Sequence, residues 1–540
     1  MVVAFLAAAC GGSSGGDAGT NPDAGAQTTV KDAGTPKPGG KLVYGLEADT
    51  SSPWTPQAAV CAISCHMVMR SVFDTLTLPN EKTEVEGNLL ESFKSNADYT
   101  EWTLHVRSGI TFHDGTPLDA AAVSDNLNRH LKSFLTAKSL ADVASVAVSG
   151  PMDVVVKTKR SWSHFPLYLA GQVGYIASPK WLAEVDKDPS KAAAPVGTGP
   201  FIFKSYTPGK NFVATKNPNY WRKGLPYLDE IEYRFIPDGD ARKSALQSGD
   251  LDIIHTSNGE AISQLAGDSN VNLIKSDKYG ETSYTLLRVD QSPEAGPLSD
   301  VNVRRAMAMA VDRPAYAKAR TRGISAPANG PFPPGTIGYL KDSGYPDYDP
   351  KGAKKLIDAY EAKNGPVKIT LTTTNDAFNL ASYELEAAYW KAAGIDVTIK
   401  QVEQGQFIVN ALKGDIQAFG WRNHGGFDPD TQNFWWDSDA ALPTGQLALN
   451  FGRIKDDVID KNLDIIRTSN DPAERKAAAE AVNKRFGSQV YNIWEWWTVW
   501  GIASQKDVHD IGTFELPSGD QSIFGAGIGG THQVAQIWKG

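Results

Sequence analysis

The sequence is poor in the residues and motifs that mark catalytic or metal-binding proteins. It holds only three cysteines and nine histidines in 540 residues, and none of them shows the paired spacing of a zinc site. The nucleophile-elbow, zinc-protease and phosphate-loop signatures are missing too. We therefore expect no catalytic residues, no metal and no cofactor, although plentiful carboxylates leave a glycosidase-type acid pair open.

Long hydrophobic runs and positive charge are also scarce. No run after the N-terminus reaches the roughly eighteen consecutive apolar residues of a membrane-spanning helix. With 53 Lys and Arg against 62 Asp and Glu, the net charge of −9 argues against nucleic acid or an anionic membrane surface as the main partner. The 540 residues, 41% hydrophobic and 21% charged, can bury sizeable cores and should form two or three domains.

The N-terminus combines a short apolar run with a cysteine. Residues 2–9 have about the length of a short signal-peptide core, and small side chains precede Cys10, as a lipoprotein signal peptidase requires. Residues 11–40 contain almost no large apolar side chains, which predicts a disordered tether. We expect residues 1–10 to be a signal-peptide remnant and Cys10 to carry lipid. The alternative is a frayed apolar N-terminus with an idle cysteine.

The other two cysteines are close together in the sequence VCAISCH. If Cys10 is lipidated, Cys61 and Cys65 form an even pair in an oxidising compartment, so we expect a disulfide between them. A metal site that adds His66 is the alternative, but no second ligand cluster supports it.

Strand-like and helix-like segments alternate along the rest of the chain. Strands are predicted at residues 41–45, 102–106, 152–157, 199–205, 212–215, 230–236, 368–373 and 396–401. Helices are predicted at residues 119–134, 241–247, 301–311, 351–363, 380–393 and from 472 to about 486. Strand–helix–strand order of this kind predicts a mostly parallel sheet covered by helices.

Four segments in a fixed order carry a resemblance to a known family. They are residues 89–127, residues 195–221 continuing to 245–254, residues 298–313, and residues 394–421 followed by Asp428-Pro429-Asp430. Together they resemble the family 5 extracellular solute-binding proteins, the peptide- and nickel-binding proteins of bacterial ABC importers. The likeness covers about residues 41–508.

The resemblance implies an α/β, two-lobed, periplasmic-binding-protein-like (Venus flytrap) fold with an extra domain inserted in the first lobe. Lobe one would comprise residues 41–75, 195–285 and 506–540. The inserted domain would be residues 76–194, and lobe two residues 286–505.

The resemblance also implies a role and partners. The chain would be a monomeric lipoprotein on the outer face of the cell membrane, or in the periplasm, with the lipid as its only membrane contact. It would capture a small solute between its lobes and deliver it to ABC permease and ATPase subunits. A sensor or other binding lipoprotein without a transport role is one alternative, and a secreted hydrolase is another.

The residues that anchor peptides in relatives differ here. Peptide-binding relatives hold the ligand's α-amino group with an Asp three residues after a Trp that matches Trp421, and His424 occupies that position. Dipeptide binders also use an Arg in a loop that matches residues 375–378, which contain none. Since a buried ammonium without its carboxylate is costly, we do not expect an ordinary dipeptide with free termini. An oligopeptide held by unusual anchors is the alternative.

The predicted ligand-binding residues combine one cation with aromatic and polar groups. The Arg422 fork suits a carboxylate or phosphate, and the tryptophans offer stacking surface, so we expect an aromatic, anionic or glycosidic solute. The alternative is that half of the tryptophans are simply core. The predicted set is Trp421, Arg422, Asn423, His424, Trp435 and Trp497 of lobe two, facing Glu47 and Asp49 of lobe one.

Overall fold

The computed structural model describes residues 34–50, 53–276, 281–423, 426–523 and 530–540. The strands in this part of the chain are β1 (Lys41–Leu46), β2 (Thr77–Pro79), β3 (Val85–Gly87), β4 (Leu90–Ser95), β5 (Glu101–Val106), β6 (Val143–Val148), β7 (Asp153–Thr158), β8 (Phe201–Thr207), β9 (Asn211–Lys216), β10 (Glu230–Phe235), β11 (Ile253–Thr256), β12 (Val271–Ser276), β13 (Thr282–Leu287), β14 (Lys368–Thr374), β15 (Asp396–Val402), β16 (Ala418–Asn423), β17 (Asn492–Trp497), β18 (Trp500–Gln505), β19 (Val508–His509) and β20 (Trp538–Lys539).

The α-helices of the same residues are α1 (Ile63–Val72), α2 (Ala120–Lys132), α3 (Phe165–Tyr168), α4 (Pro179–Lys187), α5 (Gly239–Gln247), α6 (Gly259–Ala266), α7 (Val301–Ala310), α8 (Arg313–Thr321), α9 (Pro350–Asn364), α10 (Ala377–Ala392), α11 (Gln404–Lys413), α12 (Asn433–Trp436), α13 (Asp457–Thr468) and α14 (Pro472–Gln489). Among the described helices, none combines the length and apolarity that a membrane span needs.

Aspartate caps explain where several helices begin. The side chains of Asp119, Asp349 and Asp471 accept hydrogen bonds from backbone N–H groups in the first turns of α2, α9 and α14. Pro350 and Pro472 stand at the first helical position, where no intrahelical donor is needed. These local signals are the reason that the predicted starts of these helices lie within a residue or two of the observed ones.

The first lobe is built on a seven-stranded sheet in the order β12-β18-β11-β1-β10-β9-β8. β1 lies near its centre and alternates buried Leu42 and Tyr44 with more exposed neighbours. Tyr44 shares a core with α1 and with the C-terminal residues Val534 and Ile537. Its hydroxyl lies 2.9 Å from His532 Nε2, so the C-terminal segment packs on this lobe.

An inserted domain separates β1 and α1 from the rest of this sheet. Its four-stranded sheet, β4-β5-β7-β6, is antiparallel throughout and packs on α2. Trp102, Leu104, Val154 and Leu127 belong to a core of its own.

The second lobe is built on a five-stranded sheet in the order β15-β14-β16-β13-β17. Its core joins this sheet to helices that include α7, α10 and α14. Trp390 and Trp494 are fully buried in it.

The prediction of a mostly parallel sheet is wrong. β1 is parallel to β10 and β11, but the other four neighbour pairs of its sheet are antiparallel. In lobe two, β14 is parallel to β15 and β16, whereas β13 pairs antiparallel with β16 and β17. Strand–helix–strand order predicts parallel pairing only between strands that follow one another. β17 and β18 come from the far end of the chain and pair antiparallel with their neighbours.

The chain crosses between the lobes earlier than predicted. β12 ends at Ser276 in the first sheet and β13 begins at Thr282 in the second. β17 ends at Trp497 in the second sheet and β18 begins at Trp500 in the first. The expected boundaries after residues 285 and 505 therefore each move a few residues toward the N-terminus. The second boundary moves because β18 pairs with β11 and β12, which places β18 in lobe one.

Candidate functional site

Arg422 of lobe two reaches across to lobe one. Its Nη1 donates to Ser257 Oγ at 2.8 Å, and its Nη2 donates to Glu47 Oε1 at 3.3 Å. Glu47 follows β1 and Ser257 follows β11, and these neighbouring strands are parallel, so both residues lie at the same edge of the sheet. The carboxyl ends of parallel strands are where ligands of α/β proteins commonly bind.

A second carboxylate from the first crossing completes this contact. Glu281 lies between β12 and β13, and its Oε2 is 3.8 Å from Arg422 Nη1. The indole of Trp500, the first residue of β18, donates to Glu281 Oε2 at 3.2 Å, and its ring centroid lies 5.2 Å from the Arg422 guanidinium. One guanidinium therefore faces two carboxylates at the junction of the two lobes.

Burial and charge act differently on the two carboxylates. Burial raises the pKa of Glu281 to about 7, since the opposing attraction of Arg422 is weakened by repulsion from Glu47. Burial also acts to raise the pKa of Glu47, but attraction to Arg422, with smaller contributions from His255 and Arg242, holds it below its ordinary value. The side chain of Glu281 is 3% exposed, against 22% for Glu47 and 35% for Arg422. Glu47 and Arg422 are therefore the groups that a solute can reach.

The segment that carries Glu47 is held by lobe one. The backbone N–H of Glu47 donates to His255 Nε2 at 3.2 Å, and that of Ala48 donates to Ser64 Oγ at 3.3 Å. Burial lowers the pKa of His255 to about 4, so its ring is neutral and can accept this bond at neutral pH. These two hydrogen bonds fix the backbone on both sides of the Glu47 side chain, and so fix where its carboxylate lies.

Cys61 and Cys65 are joined by a disulfide where α1 begins. Their Cα atoms are 5.0 Å apart, and Cys61 precedes the helix whereas Cys65 lies inside it. Ser64, which holds the Ala48 backbone, is the neighbour of Cys65. Within the described ranges, no group of three or more His, Cys, Asp or Glu side chains is arranged to hold a metal ion.

The predicted residue Asp49 is not brought to Arg422. Its Oδ2 accepts from the Tyr206 hydroxyl at 2.8 Å and from the Gly209 N–H at 2.7 Å, both in lobe one. The carboxylate organises a turn of its own lobe, and none of the polar contacts among the described residues joins it to Arg422. Tyr206 lies in β8 and Gly209 in the turn that follows it, so the Asp49 carboxylate is already bound within lobe one.

Trp421 and Trp435 both pack against the ring of Phe451 inside lobe two. Trp421 precedes Arg422 in β16 and points to the opposite face of the sheet, where its ring lies 4.9 Å from that of Phe451. Trp435 contacts the same phenyl ring at 5.4 Å. Together with Tyr284 and Asn450 they line a small pocket. These tryptophans are therefore separated from the Arg422 contact by the thickness of the sheet.

Trp497 ends β17 at the second crossing. Its half-buried ring packs edge-to-face on Tyr339 at 5.8 Å, and its backbone N–H donates to Ala326 O. Of the other tryptophans, Trp162 and Trp500 are fully buried, which agrees with the alternative that part of the tryptophan content is core.

Residues 84–442 match the family described as "Bacterial extracellular solute-binding proteins, family 5 Middle". This match covers more than half of the chain.

The chain belongs to this family.

A relative agrees with this assignment, and two solved structures share the fold. The chain is 31% identical over 296 residues to the glutathione-binding protein GsiB of Salmonella paratyphi A, covering 54% of this chain and 56% of the relative, so it spans little more than half of that protein. AgaA from A. tumefacien R10, solved with agropinic acid, is 24% identical with a TM-score of 0.81, covering 93% of this chain and 99% of AgaA. DppA from Helicobacter pylori, solved with the peptide STSA, is 22% identical with a TM-score of 0.80, covering 93% and 98%. The predicted family and the two-lobed α/β fold are confirmed.

Three predicted site positions of this family 5 protein lie outside the described residues or side chains. They are Cys10, His424 and the side chain of Asn423, whose backbone ends β16 by pairing with Thr282. Their roles stay predictions.

Sequence reasoning missed Glu281 and Ser257. The predicted crossing after residue 285 places Glu281 inside lobe one, away from the junction of the lobes. A glutamate directly before the fully buried strand β13 is the signal that could have found it.

Proposed function

We propose that this family 5 protein is the substrate-binding subunit of a bacterial ABC importer, which captures a small solute between its lobes and passes it to a permease. The contact of Arg422 with Glu47 and Ser257 carries this proposal. A solute at that point would touch both lobes at once, and a ligand that contacts both lobes stabilises the closed state relative to the open one. The names of GsiB and DppA support capture of small solutes in this fold.

The charges of the contact favour a solute that carries a carboxylate and a hydrogen-bond donor. The carboxylate replaces Glu47 on the Arg422 fork, which is suited to two parallel hydrogen bonds. Glu47, released from Arg422, then accepts from an amino, amide or hydroxyl group of the same solute. A purely dianionic solute would leave Glu47 and Glu281 close to its charge without compensation.

The proposed solute is not a dipeptide with free termini, because His424 and residues 375–378 lack the two anchors described above. The agropinic acid in AgaA is one solved example of a different solute in this fold. An oligopeptide with other anchors is the competing possibility.

A binding panel tests this function. The full chain is melted with glutathione, agropinic acid, mannopinic acid, a dipeptide and the tetrapeptide STSA, and any solute retained after purification is weighed by native mass spectrometry. A bound solute at about 100 times its Kd should stabilise the protein by about 2.7 kcal/mol. We expect a non-dipeptide carboxylate to do so. Tight binding of the dipeptide would contradict the solute class, and absence of both stabilisation and retained solute would contradict solute capture.

Uptake separates an importer from a sensor. A strain that lacks the chain should lose uptake of the solute found by the panel, and the gene returned in trans should restore it. Binding without any change in uptake would favour the sensor role. We further propose that the protein is a monomer held outside the cell by lipid on Cys10.

A further inference from the structure

The inserted domain also contacts lobe two, through a buried polar cluster that we call the clasp. It consists of Asp142, Trp162 and Tyr168 of the inserted domain with Asp430 and Arg467 of lobe two. Arg467 Nη1 donates to Asp142 Oδ2 at 2.8 Å, and its Nη2 donates to the Tyr168 hydroxyl at 2.7 Å. The Trp162 indole donates to Asp430 Oδ2 at 2.8 Å, and the Tyr168 hydroxyl donates to the Asp430 carbonyl at 2.7 Å.

The charges of the clasp are matched inside it. Arg467 Nε donates to Asp430 Oδ1 at 2.9 Å, so one guanidinium joins a carboxylate of each body. The side chains of Arg467 and Asp430 are 1% and 0% exposed. Burial acts to lower the pKa of Arg467. The interactions with Asp430, Tyr168 and Asp142 outweigh burial, so the pKa is raised. A buried charge network of this kind specifies one relative orientation of the two bodies, since any other orientation loses its partners.

Further contacts surround the clasp. Arg160 Nη1 donates to Asp464 Oδ1 at 2.5 Å across the same boundary, and Phe434 of lobe two packs against the cores of both bodies. Leu135 of the inserted domain also packs against the core of lobe two. The interface therefore combines apolar burial with hydrogen bonds to charged groups.

The inserted domain is fastened to lobe one as well. Gln172 Nε2 donates to the carbonyls of Pro56 and Ala59 at 2.8 Å, and His113 Nε2 lies 2.9 Å from the carbonyl of Gly199. Since the domain is held to lobe one and none of the clasp residues lies in a crossing, the lobes cannot separate while the clasp is intact.

We propose that the clasp is the lock of the cleft: it holds the lobes together without solute, and its opening limits solute exchange. This assigns a role to the inserted domain that is independent of which solute binds at Arg422. It also places the closing contact on a surface that the solute does not touch.

Small-angle X-ray scattering of the full chain, freed of solute, tests the lock. The wild-type profile should match the closed structure. The double variant Asp142→Asn/Tyr168→Phe removes the charge of Asp142 and both hydroxyl bonds of Tyr168 from the boundary. It leaves the Trp162–Asp430 bond, the Arg160–Asp464 pair and the Arg467–Asp430 pair in place, and its radius of gyration should increase. Amide exchange in residues 430–432 should become about tenfold faster or more, since each hydrogen bond to a charged group is worth roughly a factor of ten.

Two further variants keep the test decisive. Trp162→Phe removes only the indole bond to Asp430 and should open the cleft in part. This milder variant still tests the lock if the double variant does not fold. Asp186→Asn breaks an ion pair with Arg129 at 2.8 Å within the inserted domain and should leave the radius of gyration unchanged. A wild-type protein that is already open without solute, or clasp variants as compact as the wild type, would overturn the proposal. So would an equal expansion of the Asp186→Asn control.

Discussion

Arg422 is the residue on which the proposed capture of a solute most depends. Replacing it with alanine should weaken binding of the carboxylate-bearing solute found by the panel by about 1.5–3 kcal/mol, the scale of a hydrogen bond to a charged group. Isothermal titration calorimetry measures the change. Arg234→Ala, at an ion pair of comparable exposure with Glu232 in lobe one, is the matched control and should bind as the wild type does. Unchanged affinity of Arg422→Ala would contradict the site.

Glu281 gives the contact a pH dependence whose sign follows from its raised pKa. Because that pKa moves from 4.5 to about 7, the folded protein holds a proton that the unfolded chain releases. The free energy of unfolding should fall as pH rises through this window, by at most roughly 1.4 kcal/mol per pH unit, and level off above it. Glu281→Gln removes this contribution, so its stability relative to the wild type should grow with pH. A difference that stays constant across the window in urea unfolding would refute the assignment.

Between α10 and β17, lobe two buries two carboxyl groups side by side. Thr285 Oγ1 donates to Glu386 Oε2 at 2.5 Å and lies 3.4 Å from Glu495 Oε1. Burial raises the pKa of Glu386 well above its ordinary value and that of Glu495 to about 7. Glutamine has the same shape as the protonated glutamate but does not need to take up a proton on folding. Glu386→Gln should therefore raise Tm relative to the wild type at neutral pH, and this difference should disappear toward pH 4.5. The exposed Glu384→Gln on the same helix should do neither.

The start of α1 supports the lobe-one side of the contact through its disulfide. Alkylation without reductant should leave Cys61 and Cys65 unlabelled, and reduction should expose both. Replacing both with serine should cost at most about 2 kcal/mol, because the closed loop is short. Since Ser64 holds the Ala48 backbone next to Glu47, the double serine variant should also bind the solute more weakly. Two free thiols in the exported protein would disprove the pairing.

At the scale of the whole molecule, the proposed lipid on Cys10 would hold the protein at the membrane. The chain expressed with its complete native signal should partition into detergent and begin at an acylated Cys10 by intact mass. A protein with Cys10→Ser should remain in the aqueous phase, since a single anchor point is then lost. Full solubility of the unmodified chain would exclude the anchor.

Local interactions account for what the sequence by itself determined. Helical periodicity predicted α2 and the Asp471-Pro472 cap predicted the start of α14, because these signals act within a few residues. The four family segments predicted the two-lobed fold, and Arg422 with Glu47 as facing residues.

Strand pairing and charge matching were decided only by the tertiary structure. Whether β18 belongs to lobe one or two depends on partners more than 200 residues away, in β11 and β12. The Arg422–Glu47 contact joins residues 375 apart, and Asp142 and Arg467 are 325 apart. No local periodicity encodes such pairs. Glu281, Ser257 and the clasp therefore became visible only once folding had buried these groups and given each charge its partner.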